Sequence, residues 1–311
     1  MVTKIGVAPS WMRRLSIAAL TIATLVPTAL KAQDPVAISP DVSVELIGIT
    51  FEDQEVVIDD QAGFVSLAPL GALPKANDVG GYHVLINGDQ LYTLEVMSDL
   101  GGGVFAGPAD VIRFDGVSNT VEFDASAEGI PDGVVVDGVS VDASGNLVLS
   151  FDTTVDLGGL TAADEDAVQF DGLSFTMYFD GSAEGVAENL DVDGLEVLPG
   201  GDLFWVSFDG SGRVGGVDFD DEDILEFDSS GPAWSVVYDG STSHTALAAA
   251  DVVAVPEPSL WIQFVVGSGL ILVLSGTRKE RGRTQPQSRS DCGDLGARSL
   301  VAQGRIELPT P

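Results

Sequence analysis

The feature that most constrains the fold of this chain is an internal repeat with a period of 56–57 residues. Phe114-Asp115-Gly116 recurs as Phe170-Asp171-Gly172 and again as Phe227-Asp228-Ser229. Glycines keep the same step at Gly81, Gly138 and Gly194. A period of this length indicates a tandem array of equivalent supersecondary units, which bury a continuous core only by packing on one another.

Each unit contains four short segments with the chemistry of β-strands, and none has helical periodicity. In the last complete unit we expect strands at Gly194–Leu198, Leu203–Phe208, Ile224–Phe227 and Trp234–Tyr238. Apolar side chains alternate along them, and Gly or Asp-Gly pairs separate them, as hairpin turns require. The repeat therefore predicts an all-β body.

Four hairpin-linked strands per unit are the content of one β-propeller blade. Residues 33–255 have room for four such units, and Asp251–Val255 aligns with Asp193–Val197, the first strand of a unit. We therefore expect a four-bladed β-propeller in which the C-terminal strand completes the N-terminal blade. A β-solenoid and a two-sheet sandwich are the alternatives.

The charge of the chain excludes one class of function. Of its 48 acidic and 14 basic residues, residues 1–32 hold four basic ones, and residues 259–311 hold seven basic and four acidic ones. That leaves 3 basic and 44 acidic residues in 33–258, a net charge of -41. Such a body repels phosphate backbones, so nucleic acid is not an expected partner. The single cysteine, Cys292, excludes an intrachain disulfide.

The N-terminus predicts a secretory signal peptide over residues 1–32. Arg13-Arg14 precede an apolar run from Leu15 to Leu30, and Ala32 is a small residue suited to cleavage before Gln33. The alternative is an uncleaved anchor, which Pro27 and the shortness of the run disfavour.

The C-terminal part combines a short motif, an apolar segment and a basic cluster. The motif is Val255-Pro256-Glu257-Pro258-Ser259, and about 17 residues, Leu260 to Gly276, can just cross a membrane. The basic residues that follow are Arg278, Lys279, Arg281 and Arg283. They would stay in the cytoplasm and leave the acidic body outside.

Residues 255–283 resemble a PEP-CTERM sorting signal. The resemblance implies bacterial export by the secretion machinery, recognition by an exosortase and processing near the Pro-Glu-Pro motif. It also implies an inner-membrane-anchored intermediate, a final place at the cell surface or outside the cell, and a link to exopolysaccharide or biofilm matrix. An ordinary membrane anchor that happens to contain this motif is the alternative.

The chain is thus divided into a signal peptide (1–32), a repeat body (33–255), a sorting signal with a transmembrane helix (256–283) and a tail (284–311). Sorting signals of this kind usually stop at the basic cluster, so we interpret the tail as a disordered extension or as read-through of a stop. The body resembles uncharacterised acidic propeller-like repeats of bacterial surface proteins, a resemblance that implies no activity.

Closely spaced carboxylates are candidate ligands for Ca²⁺, the one cofactor that the sequence suggests. The candidates are Asp191, Asp193, Asp218, Asp220, Asp221 and Asp223. Ordinary turn chemistry and a solvated acidic surface are the competing interpretations.

Two aromatic residues, Tyr178 and Trp205, fall between the apolar alternates of their strands, so we expect them to face outward and to be able to stack on sugar rings. No residue is predicted to be catalytic. His83 and His244 are the only histidines and stand at positions that do not match in the repeat, and no zinc-ligand pattern occurs.

The sequence predicts an exported surface or matrix protein, not an enzyme, that serves adhesion or exopolysaccharide association. A secreted carbohydrate-active enzyme that uses a carboxylate pair, and a Ca²⁺-dependent binding module, are the alternatives.

Overall fold

A computed structural model describes residues 35–70, 73–75, 77–249 and 252–256. The predicted signal peptide, the motif beyond Pro256, the apolar segment, the basic cluster and the tail lie outside the described residues. Within the described ranges, no helix is long and apolar enough to span a membrane.

The described residues form 24 strands in chain order. The first group is β1 (Val36–Pro40), β2 (Val44–Leu46), β3 (Ile49–Phe51), β4 (Val57–Asp59) and β5 (Val65–Leu67). The second is β6 (Tyr82–Val84), β7 (Gln90–Tyr92), β8 (Ser98–Asp99), β9 (Phe105–Ala106), β10 (Val111–Phe114) and β11 (Asn119–Phe123). The third is β12 (Val139–Val141), β13 (Leu147–Leu149), β14 (Val155–Asp156), β15 (Thr161–Ala162), β16 (Ala167–Phe170) and β17 (Phe175–Phe179). The fourth is β18 (Val192–Val197), β19 (Leu203–Phe208), β20 (Gly212–Val214), β21 (Val217–Phe219), β22 (Ile224–Asp228) and β23 (Ala233–Tyr238). A one-turn helix, α1 (Gly240–Ser243), and a 3₁₀ turn at Leu247–Ala249 precede β24 (Val252–Pro256).

Four of the sheets are four-stranded and antiparallel, and each is one blade of a propeller. Their strand orders are β24-β1-β4-β5, β6-β7-β10-β11, β12-β13-β16-β17 and β18-β19-β22-β23. The innermost strands β24, β6, β12 and β18 follow one another around the axis. The predicted all-β, four-bladed propeller is therefore confirmed, and the solenoid and sandwich alternatives are wrong.

The ring is closed by pairing between the two ends of the described chain. Strand β24 lies antiparallel to β1, with Val36 opposite Pro256 and Pro40 opposite Val252. The C-terminal strand thus supplies the innermost strand of the blade that the N-terminal strands begin, as the sequence predicted. Without it, β1 would present an unpaired edge to the axis.

Each blade carries a small antiparallel hairpin that the four-strand interpretation of the repeat did not include. These hairpins, β2-β3, β8-β9, β14-β15 and β20-β21, lie between the second and third strands of their blades. The paired glycines Gly158-Gly159 and Gly215-Gly216 form two of the turns, with positive φ at all four residues. The unit is therefore six strands, four in the blade and two in the hairpin.

The apolar residues form four separate cores, one at each interface between neighbouring blades. Phe123 of blade 2 packs edge-on against Phe170 of blade 3, with ring centroids 5.2 Å apart. Phe179 of blade 3 packs in the same way against Phe204 of blade 4, at 4.8 Å. Each blade therefore packs against a neighbouring blade on both of its faces, which matters for the outward-facing aromatic residues that the sequence predicted.

Candidate functional site at the propeller axis

Three polar side chains meet where the innermost strands of blades 2, 3 and 4 approach one another. They are His83 on β6, Ser140 on β12 and Glu196 on β18. All three are buried. They lie 57 and 56 residues apart, so they are the same position of three successive units. The blades, which are otherwise alike, thus bring three different functional groups to one point.

The Glu196 carboxylate is the centre of this cluster. His83 Nδ1 lies 2.5 Å from Glu196 Oε2, and the Ser140 hydroxyl donates to the same oxygen at 3.0 Å. Ser140 Oγ in turn accepts from the backbone N–H of Val197 at 2.9 Å. Because a carboxylate oxygen accepts both bonds, the Nδ1 atom of His83 carries the hydrogen. The bond fixes both the tautomer and the orientation of the imidazole.

Burial raises the pKa of Glu196 above its usual value, and the charge and hydrogen bond of His83 oppose that rise. A buried carboxylate without partners would be costly, and here the imidazole and the hydroxyl supply them. His83 and Glu196 thus form an ionisable pair at a buried position, where a hydrophobic core would contain apolar side chains.

A cavity of about 640 Å³ opens beside this cluster, at the end of the axis where the innermost strands turn into the second strands. We call the buried His83 and Glu196 the floor of this cavity and the exposed Ile86 part of its mouth; the other lining residues belong to strands and turns of blades 2, 3 and 4. The walls are mostly apolar: Leu85, Ile86, Leu91, Val141, Leu147, Val197, Leu198 and Pro199. Its volume lies within the range of small-molecule binding sites.

Among the described residues that line the cavity, one is basic, Arg113, and acidic neighbours compensate its charge. Its Nε donates to Asp89 Oδ2 at 2.8 Å, and its Nη1 lies 3.5 Å from Glu122 Oε2. Asp142, also at the wall, accepts backbone hydrogen bonds from Ser144 and Asn146. The described lining therefore carries no excess positive charge.

The opposite end of the axis is acidic. Asp137 precedes β12, while Asp191 and Asp193 flank the start of β18. Burial, and next the charges of Asp191 and Asp193, raise the pKa of Asp137 to about 10. Burial and the charge of Asp209 raise the pKa of Asp191 to about 8. We call Asp137, Asp191 and Asp193 the acidic mouth.

The structure distributes the six candidate Ca²⁺ ligands over different places. Asp191 and Asp193 belong to the acidic mouth, whereas Asp218, Asp220, Asp221 and Asp223 lie on β21 and in the turn before β22. Asp218 pairs with Arg213, and Asp223 accepts from the backbone N–H groups of Asp220 and Gly240. Among the described residues, no group of three acidic, histidine or cysteine side chains is arranged to hold a metal ion. Ca²⁺ binding stays a prediction, which melting with and without EDTA would test.

The outward orientation expected for Trp205 is wrong. Trp205 is 5% exposed and packs in the core between blades 4 and 1, where its Nε1 donates to Glu226 Oε2 at 3.0 Å. Alternation along a strand means exposure only when one face of the sheet meets solvent, and β19 packs against a neighbouring blade on both faces. Tyr178 is half-buried, with its hydroxyl 3.4 Å from the carbonyl oxygen of Gly201, and its stacking on sugars stays a prediction.

No family model matches the chain, and no curated protein matches it. Several solved structures are similar to it. One is the extracellular domain of a putative one-component system from Bacteroides thetaiotaomicron, with 10% identity and a TM-score of 0.30, covering 65% of this chain and 22% of that one. A protein of unknown function from Bacteroides caccae has 11% identity and a TM-score of 0.26, covering 66% of this chain and 59% of that one.

A third similar structure is a catalytically inactive virginiamycin B lyase from Staphylococcus aureus with quinupristin. It has 9% identity and a TM-score of 0.29, covering 68% of this chain and 72% of that one. This chain spans less than two thirds of the length of the first two structures. Likeness at this level carries no conclusion about activity.

The axial cluster could have been found in the sequence by comparing equivalent positions of successive repeat units. Comparing the two histidines with each other does not reveal it. His83 and His244 do not match in the repeat. A step of one period from His83 instead reaches Ser140, and the next step reaches Glu196. In a closed ring, equivalent positions on innermost strands converge, so three different residues at this position indicate a polar cluster at the axis.

Proposed function

We propose that the chain is an exported, non-enzymatic surface or matrix protein whose body is the acidic propeller and whose release depends on the PEP-CTERM signal. The pairing of Val36 with Pro256 is the observation that supports this proposal most. The expected signal cleavage after Ala32 lies just before β1, and the sorting motif begins inside β24. The two expected processing sites therefore bracket the closed ring.

Processing at these two sites leaves the ring intact. Every ladder residue of β1 and β24 lies between Val36 and Pro256. Removal of the signal peptide and of the segment after the motif therefore leaves every described pair of the β1–β24 ladder in place. The net charge of the body also keeps it away from the anionic membrane surface, in agreement with a role in the matrix outside the cell.

The proposal is tested in a bacterium that contains an exosortase. Glu257→Ala combined with Pro258→Ala alters the motif beyond the last ladder residue, so the fold is expected to stay unchanged. The matched control is Glu307→Ala with Pro309→Ala in the tail. Wild type and control should be recovered outside the inner membrane in shortened form, and the motif variant should stay full-length in the inner membrane. Identical fractionation and mass of all three proteins would overturn the proposal.

One observation favours the carbohydrate-active enzyme as a second candidate. Asp137 Oδ2 and Asp191 Oδ1 are buried without a hydrogen-bond partner among the described residues, and both carboxyls have raised pKa values. Two interacting carboxyls with raised pKa values are typical of acid–base sites, and glycoside hydrolysis uses carboxyl pairs. A screen of polysaccharides with wild type and with the Asp137→Asn, Asp191→Asn double variant separates the candidates. Hydrolysis by wild type alone would establish the enzyme, and no release of sugar by either protein supports the non-enzymatic function.

A further inference from the structure

The second ring nitrogen of His83 is available to a ligand. Its Nδ1 atom is bound to Glu196, whereas within the described residues no protein group forms a hydrogen bond with Nε2. Nor is Nε2 among the buried atoms there that lack a partner, so it is in contact with solvent, and His83 itself lines the cavity. In the neutral form of the ring with its hydrogen on Nδ1, Nε2 presents a lone pair and accepts hydrogen bonds.

We propose that this cavity binds a small amphipathic molecule, neutral or cationic, that donates an N–H or O–H hydrogen bond to His83 Nε2. The apolar part of the ligand lies against the aliphatic walls, and its donor group points to the floor. The inference goes beyond the proposed function, because it concerns a soluble small molecule and not adhesion or matrix assembly.

The aliphatic residues of the cavity walls indicate that the ligand has an apolar portion. The described lining residues include no aromatic side chain apart from the imidazole of His83. Sugar rings are usually held by aromatic stacking, so an aliphatic cavity favours a ligand with a hydrocarbon portion. Ile86 lines the mouth and is 90% exposed, and a ligand bound in the cavity would cover part of this side chain.

The charges around the cavity indicate that the head group of the ligand is neutral or cationic. Glu196, Glu122 and Asp142 belong to its lining, and the one guanidinium in the described lining, of Arg113, pairs with Asp89 and Glu122. The body around it is strongly acidic. An anionic ligand would meet repulsion, and the described lining offers it no free cation, whereas a neutral or cationic head group needs none.

Four probes that share a phenyl group test the need for a hydrogen-bond donor and for a head group that is not anionic. They are 2-phenylethylamine (cationic donor), 2-phenylethanol (neutral donor), methyl 2-phenylethyl ether (neutral, no donor) and phenylacetate (anion). The full chain has only two histidines. Side-chain ¹⁵N NMR at about pH 8, where an ordinary imidazole is neutral, therefore shows two imidazoles, which a His244→Gln variant assigns. His244 serves as the internal control, because its Nε2 is already bound to Asp59 at 2.9 Å.

We expect the amine and the alcohol to shift the Nε2 resonance of His83 saturably and to leave His244 unchanged. The ether should bind about tenfold more weakly, as the loss of one hydrogen bond implies, and phenylacetate should not bind. Ile86→Lys changes an exposed side chain at the mouth and should weaken binding of the amine. The double variant His83→Leu, Glu196→Leu removes the pair without leaving a buried charge, and should abolish the preference for donors over the ether.

The proposal is overturned if none of the probes shifts the His83 resonance, if phenylacetate binds as tightly as the alcohol, or if both variants bind like wild type. These results are obtained on purified protein. They are therefore independent of export and sorting, and either proposal can fail alone.

Discussion

Asp59 on β4 and Tyr238 on β23 are 179 residues apart in the chain and joined by a hydrogen bond of 3.0 Å between the Tyr238 hydroxyl and Asp59 Oδ2. His244 Nε2 lies 2.9 Å from the same oxygen. Blade 1 contains Asp59, and blade 4 with the segment after it contains the two donors. This buried polar contact therefore lies at the seam where the last blade meets the first.

Asp59→Ala should destabilise the protein by about 3 kcal/mol, because it leaves a buried hydroxyl and a partly buried imidazole without their shared acceptor. Tyr238→Phe removes one donor and leaves the carboxylate bound to His244, so its expected cost is about 1 kcal/mol. Urea unfolding of both variants measures the difference. Equal losses for the two substitutions would show that Asp59 is not the shared acceptor.

Gly81→Ala should destabilise the ring by about 2 kcal/mol through overpacking. A Cβ atom at Gly81 would lie 2.9 Å from the carbonyl oxygen of Asp137 and 2.9 Å from the amide nitrogen of Val139, which are backbone atoms beside the neighbouring innermost strand. Gly231→Ala is the matched control, since no atom of the described chain lies within 4 Å of its Cβ position. If both variants melt at the same temperature, the innermost strands of blades 2 and 3 are not in close contact.

The stability of the protein should fall as the pH rises from about 5.5 to about 8.5. In the unfolded chain Asp137 and Asp191 lose their protons near pH ~4, whereas the folded pKa values are about 10 and about 8. Between pH ~4 and these folded pKa values, the folded state binds more protons than the unfolded state. Unfolding therefore releases protons, and the free energy of unfolding decreases as the pH rises.

Asp137→Asn removes one of these groups, so its melting temperature relative to wild type should increase steadily over the same pH range. Asp115→Asn is the control. Hydrogen bonds to the backbone of Ser118 and Val117 lower the pKa of Asp115, so it is ionised in both states throughout this range. A difference in melting temperature between Asp137→Asn and wild type that stays constant with pH would contradict the raised pKa of Asp137.

The repeat made most of the fold predictable. Strand β19 has the predicted bounds, and closure followed from the alignment of the C-terminal segment with the start of a unit. The hairpins were not predictable in this way, because strands of two or three residues are too short to show alternation. The outward placement of Trp205 failed because alternation indicates an exposed face only in a sheet that meets solvent, and blades pack on both sides.

The candidate site was less predictable than the fold. A carboxylate in a chain with 48 acidic residues has little value as a signal, and nothing local distinguishes Glu196 from the others. What distinguishes it is its equivalence to His83 and Ser140, which has meaning only once the ring is known to close. Closure therefore determines both the fold and the site.

Closure is tested most directly by a disulfide across the β1–β24 ladder. Ala37 lies opposite Val255, and directly opposed residues of antiparallel strands have Cα atoms about 4.5–5.5 Å apart, within the range that a disulfide spans. Ala37→Cys and Val255→Cys, with Cys292→Ser to remove the natural thiol, should form an intrachain disulfide on mild oxidation. Ala37→Cys with Ala254→Cys places the thiols on opposite faces of the sheet and should remain reduced. The intact mass after alkylation shows whether the disulfide has formed, and we predict a disulfide in the first pair alone. Free thiols in both pairs, or equal cross-linking of both, would contradict a ring closed by β24.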